Sequence, residues 1–163
     1  MAQYTGKVWV LGDDIDTDII IPTEYLALKT IEDMKQYGFS PLRPELAGQI
    51  KPGDIIVAGK NFGCGSSREQ APEVIKALGI PCIIAKSFAR IFYRNALNNG
   101  LLLLEQPELH DVVKEGDTIT VTVNEDVEYN GKKYPIASLP ENLMEIIEAG
   151  GLVKAMRKHN GLD

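Results

Sequence analysis

The chain has 163 residues and a formal net charge of −6, and 44% of its residues are hydrophobic and 25% are charged. This length supports one domain with a buried core over residues 1–163, and the proportions are typical of a globular protein in water. The acidic balance excludes a protein that mainly binds nucleic acid. No apolar run approaches the roughly 20 residues of a membrane span or resembles a signal-peptide core. We therefore expect a cytoplasmic protein without membrane or nucleic-acid partners.

The first third of the chain predicts one strand and few other regular elements. The strand covers residues 7–11, which are mainly β-branched or aromatic, and an acidic loop follows over residues 13–18. A short apolar run then occupies residues 19–21. Residues 23–50 contain glycine and proline too often for a long element, with one weakly helical stretch at 31–37, and we interpret them as a mobile excursion.

The middle third alternates strands with helices. Buried strands are predicted at residues 54–59, 81–85 and 101–104, and helices at residues 67–78 and 87–98. Ser87 is the predicted N-cap of the second helix, and Gly79 and Gly100 are the expected terminators. Pro72 lies near the first turn of the first helix, so either that helix starts late or one backbone hydrogen bond is lost. This order of elements predicts βαβ units with parallel pairing.

The last third has a different pattern. Residues 118–123 alternate as a strand, and residues 127–134 predict a hairpin around Asn130-Gly131. An amphipathic stretch at 139–149 ends at Gly150-Gly151, before a short terminal helix. We therefore expect an α/β fold with a largely parallel central sheet and an additional C-terminal β-hairpin and helices.

A glycine-rich loop before the first long helix holds most of the candidate functional residues. It reads Gly59-Lys60-Asn61-Phe62-Gly63-Cys64-Gly65-Ser66-Ser67-Arg68-Glu69, and a loop that opens a helix favours an anion. It lacks the Gly-Lys-Ser/Thr ending of a Walker A loop, and Arg68 occupies the third small-residue position of a dinucleotide fingerprint. The remaining hypothesis is that the loop binds a small anionic ligand through Arg68. A serine of this loop could act as a base only if its alkoxide were stabilised. The alternative is that Ser66 and Ser67 cap the helix and Arg68 pairs with an acidic neighbour.

Metal-binding residues are scarce. Two cysteines are too few for a disulfide framework or for an iron–sulfur cluster held by this chain alone, and the two histidines are too far apart in sequence for a metal-spaced pair, so we predict no metal site. The acidic loop lacks the glycine that a calcium loop requires, because Ile19 replaces it. Cys64 lies beside a helix N-terminus that would lower its pKa; the alternative is a small side chain packed under the loop. Cys82 is assigned to the core.

Several motifs together resemble those of a known family. Gly65-Ser66-Ser67-Arg68-Glu69, Ser87-Phe88-Ala89-Arg90-Ile91-Phe92 and Asn95 resemble the signature of the aconitase swivel domain. In addition, Asp16-Thr17-Asp18 and Lys60-Asn61-Phe62-Gly63, in a short free-standing chain, are similar to the small subunits of 3-isopropylmalate dehydratases. The likeness runs from about Gly6 to His159, and it implies a single aconitase-like swivelling β/β/α domain.

The resemblance implies a hydro-lyase that isomerises 2-isopropylmalate and 3-isopropylmalate through isopropylmaleate, in leucine biosynthesis. In such enzymes a [4Fe–4S] cluster on the large subunit serves as a Lewis acid, so a large-subunit partner is implied and no cofactor is expected on this chain alone. Motif position assigns the catalytic base to Ser66, and the binding of a substrate carboxylate to Gly65, Ser67 and Arg68. Asp18 matches an active-site aspartate of the family and is expected to orient a nearby arginine or other catalytic groups. Association of the isolated chain into a homo-oligomer is a further alternative.

The same resemblance places substrate discrimination within residues 23–50. Leu26, Ala27 and Leu28 offer apolar surface suited to an isopropyl group, and no arginine for the extra carboxylate of homoaconitate lies among Tyr25 to Leu28. The alternative is that these side chains pack within this subunit or against its partner, so other hydroxy-di- or tricarboxylic acids, such as citraconate, citramalate or homoaconitate, stay open. A non-catalytic module that binds a small carboxylate through the same loop is the competing interpretation.

Overall fold

The computed structural model describes residues 3–65, 68–151 and 156. The strands are β1 Gln3–Val10, β2 Ile55–Ala58, β3 Cys82–Ala85, β4 Leu102–Glu105, β5 Thr118–Thr122, β6 Asp126–Tyr129 and β7 Lys132–Pro135. The helices are α1 Thr17–Ile20, α2 Ile31–Lys35, α3 Leu46–Gln49, α4 Gln70–Ala77, α5 Arg90–Asn98, α6 Leu109–Val112 and α7 Glu141–Ala149, and a 3-10 turn covers Thr23–Tyr25. Within these described ranges, no helix is long and apolar enough to cross a membrane. The predicted short terminal helix falls largely outside them.

The strands form a mixed sheet in which β1 joins a parallel half to an antiparallel half. The order across the sheet is β4-β3-β2-β1-β5-β6-β7. Val8 to Val10 of β1 pair in parallel with β2, and Gln3 to Lys7 pair antiparallel with β5. Helical connections between β2, β3 and β4 make their pairing parallel, because a crossover returns the chain to the starting edge. The predicted α/β fold with a C-terminal hairpin is confirmed, and the parallel pairing predicted for the central strands is that of β1 to β4.

Both faces of the parallel half are buried, which explains the uninterrupted apolar character of its strands. Ile56 of β2 packs in a cluster with residues of α1 to α5. Its neighbour Ile55 points to the opposite face and packs with residues of the antiparallel strands, α6 and α7. Burial of one such side chain stabilises the fold by about 1.5–3 kcal/mol. The buried sheet is therefore a rigid support for the loops that follow its strands.

Most predicted turns are confirmed by the backbone. Asn130 and Gly131 have φ angles of 52° and 80° between β6 and β7, as a two-residue hairpin of the mirror-image type I′ requires. Gly79 and Gly100 follow α4 and α5 at the expected ends. α4 begins at Gln70, so it starts late, and Pro72 lies in its first turn, where its missing N–H costs no helical bond.

The predicted start of α5 is wrong. The helix begins at Arg90, and Ala89 is its N-cap residue. Ser87 instead serves the glycine-rich loop: its Oγ accepts a hydrogen bond from the backbone N–H of Asn61 (2.8 Å), and its carbonyl accepts one from Phe62 (3.1 Å). Serine satisfies backbone donors at helix starts and in loops alike, so its position in sequence does not distinguish the two uses.

Residues 23–50 contain more regular structure than their composition predicts. They include α2 and α3, and Met34, Phe39 and Leu46 are buried among them. Arg43 donates two hydrogen bonds to the carboxylate of Glu115, at 2.6 and 3.1 Å, next to the antiparallel half of the sheet. These contacts attach the excursion to the rest of the fold. Its mobility stays a prediction.

Candidate active site

The carboxyl ends of β1, β2 and β3 meet at one edge of the sheet, and the segments that leave them are joined by backbone hydrogen bonds. Gly59, after β2, donates its N–H to the carbonyl of Gly12 after β1 (3.1 Å) and accepts from the N–H of Lys86 after β3 (3.0 Å). The carboxylate of Asp13 accepts from the backbone N–H of Lys60 (2.7 Å). Ligands of parallel α/β sheets bind at this kind of edge.

Gly65 brings the glycine-rich loop close to the segment that follows β1. Its φ is +95°, and a side chain on it would approach Cβ of Asp16 at 3.3 Å and Oγ1 of Thr17 at 3.5 Å. The preceding carbonyl, that of Cys64, accepts a hydrogen bond from the N–H of Thr17 (2.9 Å). The loop predicted to bind an anion thus lies directly against the start of α1.

Asp18 lies in the first turn of α1, a helix that the sequence pattern does not predict. The carboxylate of Asp16 caps this helix, because it accepts a hydrogen bond from the N–H of Ile19 (2.9 Å). Asp18 is consequently held on a helix start rather than in a free acidic loop. Its side chain is 64% exposed and faces Arg68.

Arg68 is held by three acceptors from the segment after β1. Its guanidinium donates to the carbonyl of Ile21 (2.9 Å) and to Oγ1 of Thr23 (2.7 Å), and it forms an ion pair with the carboxylate of Asp18. The Arg68 side chain is only 16% exposed. A guanidinium fixed in one plane presents its remaining N–H groups in a fixed direction, which suits recognition of a carboxylate.

Arg68 also borders a cleft between the glycine-rich loop and the start of α5. The cleft has a volume of about 170 Å³, and the residues that line it include Gly63, Gly65, Arg90, Ile91 and Asn95. Arg90 and Ile91 are exposed. The cleft is smaller than the roughly 300–1,000 Å³ of typical small-molecule pockets. It therefore combines polar and apolar walls in a space suited to part of a small ligand.

The predicted site residues are brought together in part. Gly65 and Arg68 line the cleft and Asp18 pairs with Arg68, while Ser66 and Ser67 lie outside the described residues. The predictions missed Thr23, which contacts Arg68, and did not assign Arg90, Ile91 or Asn95, although these last three belong to the motifs that carried the family resemblance. Thr23 has no sequence signal of its own, because its role depends on the fold.

The three residues proposed to contact the substrate's variable group follow directly after the 3-10 turn. Leu26 and Leu28 are half-buried and pack against the hydrophobic cluster shared by α1 to α5, whereas Ala27 is exposed. Tyr25 stacks on Tyr37 with ring centroids 4.0 Å apart, which stabilises the turn. The side chains of Leu26 and Leu28 thus contribute to packing within this chain.

The cysteines do not have the properties of cluster ligands. Burial and the carboxylates of Asp16 and Asp14 raise the pKa of the Cys64 thiol, which is opposite to the lowering that a helix N-terminus would give. Burial raises the pKa of the fully buried Cys82 far above its usual range. Among the residues that the structure describes, no three His, Cys, Asp or Glu side chains lie together so as to hold a metal ion. The described residues therefore do not fit a [4Fe–4S] cluster.

Comparison with known proteins connects this architecture with a family. The aconitase C-terminal domain matches residues 24–109. The chain is 80% identical to the 3-isopropylmalate dehydratase small subunit of Lachnospira eligens, over 99% of this chain and 98% of that protein. It is 47% identical to the isopropylmalate/citramalate isomerase small subunit of Methanocaldococcus jannaschii, over 94% of this chain and 93% of that protein. The crystal structure of 3-isopropylmalate dehydratase from the same archaeon matches with a TM-score of 0.92 and 39% identity, over 99% of this chain and 97% of that one.

The chain has a mixed sheet, with a glycine-rich loop and a fixed arginine at the carboxyl ends of its parallel strands. Together with the matching family domain, these features define an aconitase-type swivel domain. The resemblance inferred from the sequence motifs is confirmed. The chain belongs to the family of 3-isopropylmalate dehydratase small subunits, which are components of hydro-lyases.

Proposed function

We propose that this chain is the small subunit of a heteromeric hydro-lyase that interconverts 2-isopropylmalate and 3-isopropylmalate through isopropylmaleate, in leucine biosynthesis. The observation that carries the proposal is the fixed guanidinium of Arg68 at the cleft edge, in a chain 80% identical to a 3-isopropylmalate dehydratase small subunit. In this proposal residues 1–163 act as one swivel domain.

The residues of this chain have distinct roles in the reaction. Arg68 binds a substrate carboxylate with the hydroxyl of Ser67 and the backbone of Gly65, and Asp18 orients the guanidinium. Ser66 removes the carbon-bound proton in the dehydration and returns a proton in the rehydration, a role that requires its alkoxide to be stabilised in the assembled site. Leu26, Ala27 and Leu28 contact the isopropyl group or support the residues that do.

A large-subunit partner completes the site. The cleft of this chain is large enough for only part of a small ligand, and in this proposal the [4Fe–4S] cluster expected for the reaction is carried by the large subunit. When bound there, such a cluster supplies Lewis-acid chemistry. The isolated small subunit is therefore expected to have no turnover.

The test is co-expression with the cognate large subunit, anaerobic reconstitution of the cluster, and assay of isopropylmaleate hydration beside citraconate and homoaconitate. Preference for isopropylmaleate supports the proposal. Ser66→Ala is expected to abolish turnover while size-exclusion profiles show unchanged folding and assembly. Ser138→Ala is the matched control, because Ser138 is exposed and its hydroxyl donates a hydrogen bond to the carbonyl of Asn124 (3.3 Å), away from the cleft. Turnover retained in Ser66→Ala would exclude Ser66 as the base.

A second candidate is a substrate of the citramalate and citraconate type. The Methanocaldococcus jannaschii relative is named as an isopropylmalate/citramalate isomerase small subunit, so one relative of the same family is associated with both acids. A methyl group in an apolar site differs from an isopropyl group by only about 1–3 kcal/mol per methylene. Comparable kcat/KM values for isopropylmaleate and citraconate would support this dual activity, and a difference above about 100-fold would exclude it.

A further inference from the structure

Thr23 connects two parts of the site that belong to different functions. Its Oγ1 accepts a hydrogen bond from Nη2 of Arg68 (2.7 Å). Its carbonyl accepts one from the N–H of Leu26 (3.0 Å), which closes the 3-10 turn Thr23–Tyr25. The side chain of Thr23 thus contacts the guanidinium proposed to bind the carboxylate, and its backbone carbonyl holds Leu26, the first residue of the segment Leu26 to Leu28.

The hydroxyl is not required to satisfy a buried group. Thr23 is exposed, and Arg68 also has a backbone acceptor in the carbonyl of Ile21 and a charged acceptor in Asp18. The same nitrogen, Nη2, contacts both Asp18 and Thr23, so the Thr23 hydroxyl helps to fix the direction of that NH2 group. A guanidinium with this contact removed can rotate about its last bonds, and it then presents its free N–H groups less uniformly to a ligand.

We propose that Thr23 is a positioning residue of the substrate site, which fixes the Arg68 guanidinium and couples its orientation to the segment that reads the substrate's variable group. This inference rests on the proposed function. It implies that changes within Leu26 to Leu28 that displace the turn also alter carboxylate binding, because both are connected through Thr23.

The test uses the reconstituted complex of both subunits and three variants of the small subunit. Thr23→Val keeps the shape of the side chain and removes the hydroxyl, and it is expected to raise KM for isopropylmaleate roughly five- to tenfold with kcat changed less than about twofold. Thr23→Ser retains the hydroxyl and is expected to have a KM within about twofold of wild type. Thr5→Val is the matched control, since its hydroxyl contacts Thr120 on β5 and removing it should leave KM unchanged.

The outcomes separate this inference from the proposed function. An unchanged KM in Thr23→Val, an equal rise in Thr23→Ser, or an equal rise in Thr5→Val overturns the role of Thr23 and leaves the hydro-lyase activity standing. A wild-type complex that hydrates none of the three acids overturns the proposed function and this inference together. A rise confined to Thr23→Val supports the inference.

Discussion

Gly63 lies against the ring of Phe92, so closely that a Cβ atom on Gly63 would be 2.2 Å from Cγ of Phe92. Gly63 also has a φ of +85° and donates its N–H to the carbonyl of Ile15 (2.7 Å). Phe92 is buried near the start of α5. The loop that carries the proposed catalytic residues is thus packed directly on the helix that forms the other wall of the cleft.

Gly63→Ala is expected to destabilise the isolated subunit by about 3 kcal/mol, because the methyl group overlaps the Phe92 ring and the backbone is left-handed. Gly48→Ala is the matched control. Gly48 lies in α3 with open space around its Cβ position, and alanine there should be neutral or stabilise by up to about 1 kcal/mol. The measurement is urea unfolding followed by the fluorescence of Trp9. Equal midpoints for the two variants would contradict the packing described for Gly63.

Asp18→Asn is expected to lower kcat/KM of the reconstituted complex at least about tenfold, because Arg68 loses its charged partner. The folding free energy should change by less than about 1 kcal/mol, since the Asp18 side chain is 64% exposed and exposed ion pairs contribute little. Asp126→Asn in the C-terminal hairpin is the control for loss of a carboxylate elsewhere. A normal kcat/KM in Asp18→Asn would show that Asp18 does not orient the arginine.

The ion pair between Arg43 and Glu115 should make stability depend on pH in the acid range. Hydrogen bonds from Arg43 hold the pKa of Glu115 below its usual value of 4.5. The stabilisation is therefore complete above about pH 4.5 and is lost as the pH falls through the lower folded-state pKa. Because the Glu115 side chain is 37% exposed, we expect Glu115→Gln to cost only about 0.5–1 kcal/mol at pH 7.

Urea unfolding of wild type and Glu115→Gln at pH 7 and pH 3.5 measures this dependence. The difference in unfolding free energy should narrow at the lower pH. Glu45→Gln provides a comparison, since Glu45 lies 3.5 Å from Arg43 and is more exposed, and its effect should be smaller. A constant difference between the two pH values would rule out titration of Glu115 as the cause.

Cys64 should react slowly with iodoacetamide at pH 7.5, because burial and two nearby carboxylates raise its thiol pKa and only the thiolate is the nucleophile. Asp16→Asn removes one of these charges and keeps a residue that caps α1, so the reaction should become faster without loss of the helix. Mass spectrometry of the intact chain follows the rate. A Cys64 that reacts faster than free cysteine would instead indicate an activated thiol.

Elements built on local chemistry were predictable from sequence. The parallel strands follow from short apolar runs between helices, and the hairpin follows from Asn130-Gly131. Ser87 was assigned to the wrong element, because its partner Asn61 lies 26 residues earlier and only the fold brings them together. α1 was missed because four residues are too few for a helical pattern, and its start depends on the Asp16 cap.

The site was predictable only where a motif marked it. Arg68 and Asp18 were assigned by motif position, and their contact agrees with the expected orienting role, which the activity of Asp18→Asn will test. Thr23 lies 45 residues from Arg68 and carries no charge or spacing that singles it out. The Thr23 hydroxyl contacts the Arg68 guanidinium because the turn Thr23–Tyr25 places it there, and that placement exists only in the folded chain.

The division of β1 between two partners sets the order in which a growing chain can fold. Val8 to Val10 pair in parallel with residues 47 positions later, as Val8 does with Ile55. Gln3 to Lys7 have no partner until β5, which begins at Thr118, has been made. During synthesis the first strand therefore stays half-paired until more than two thirds of the chain has been made. An unpaired strand edge invites contacts between chains. Truncation before Thr118 should consequently yield a chain that associates with itself, while one that ends after Pro135 has β5 to cover that edge.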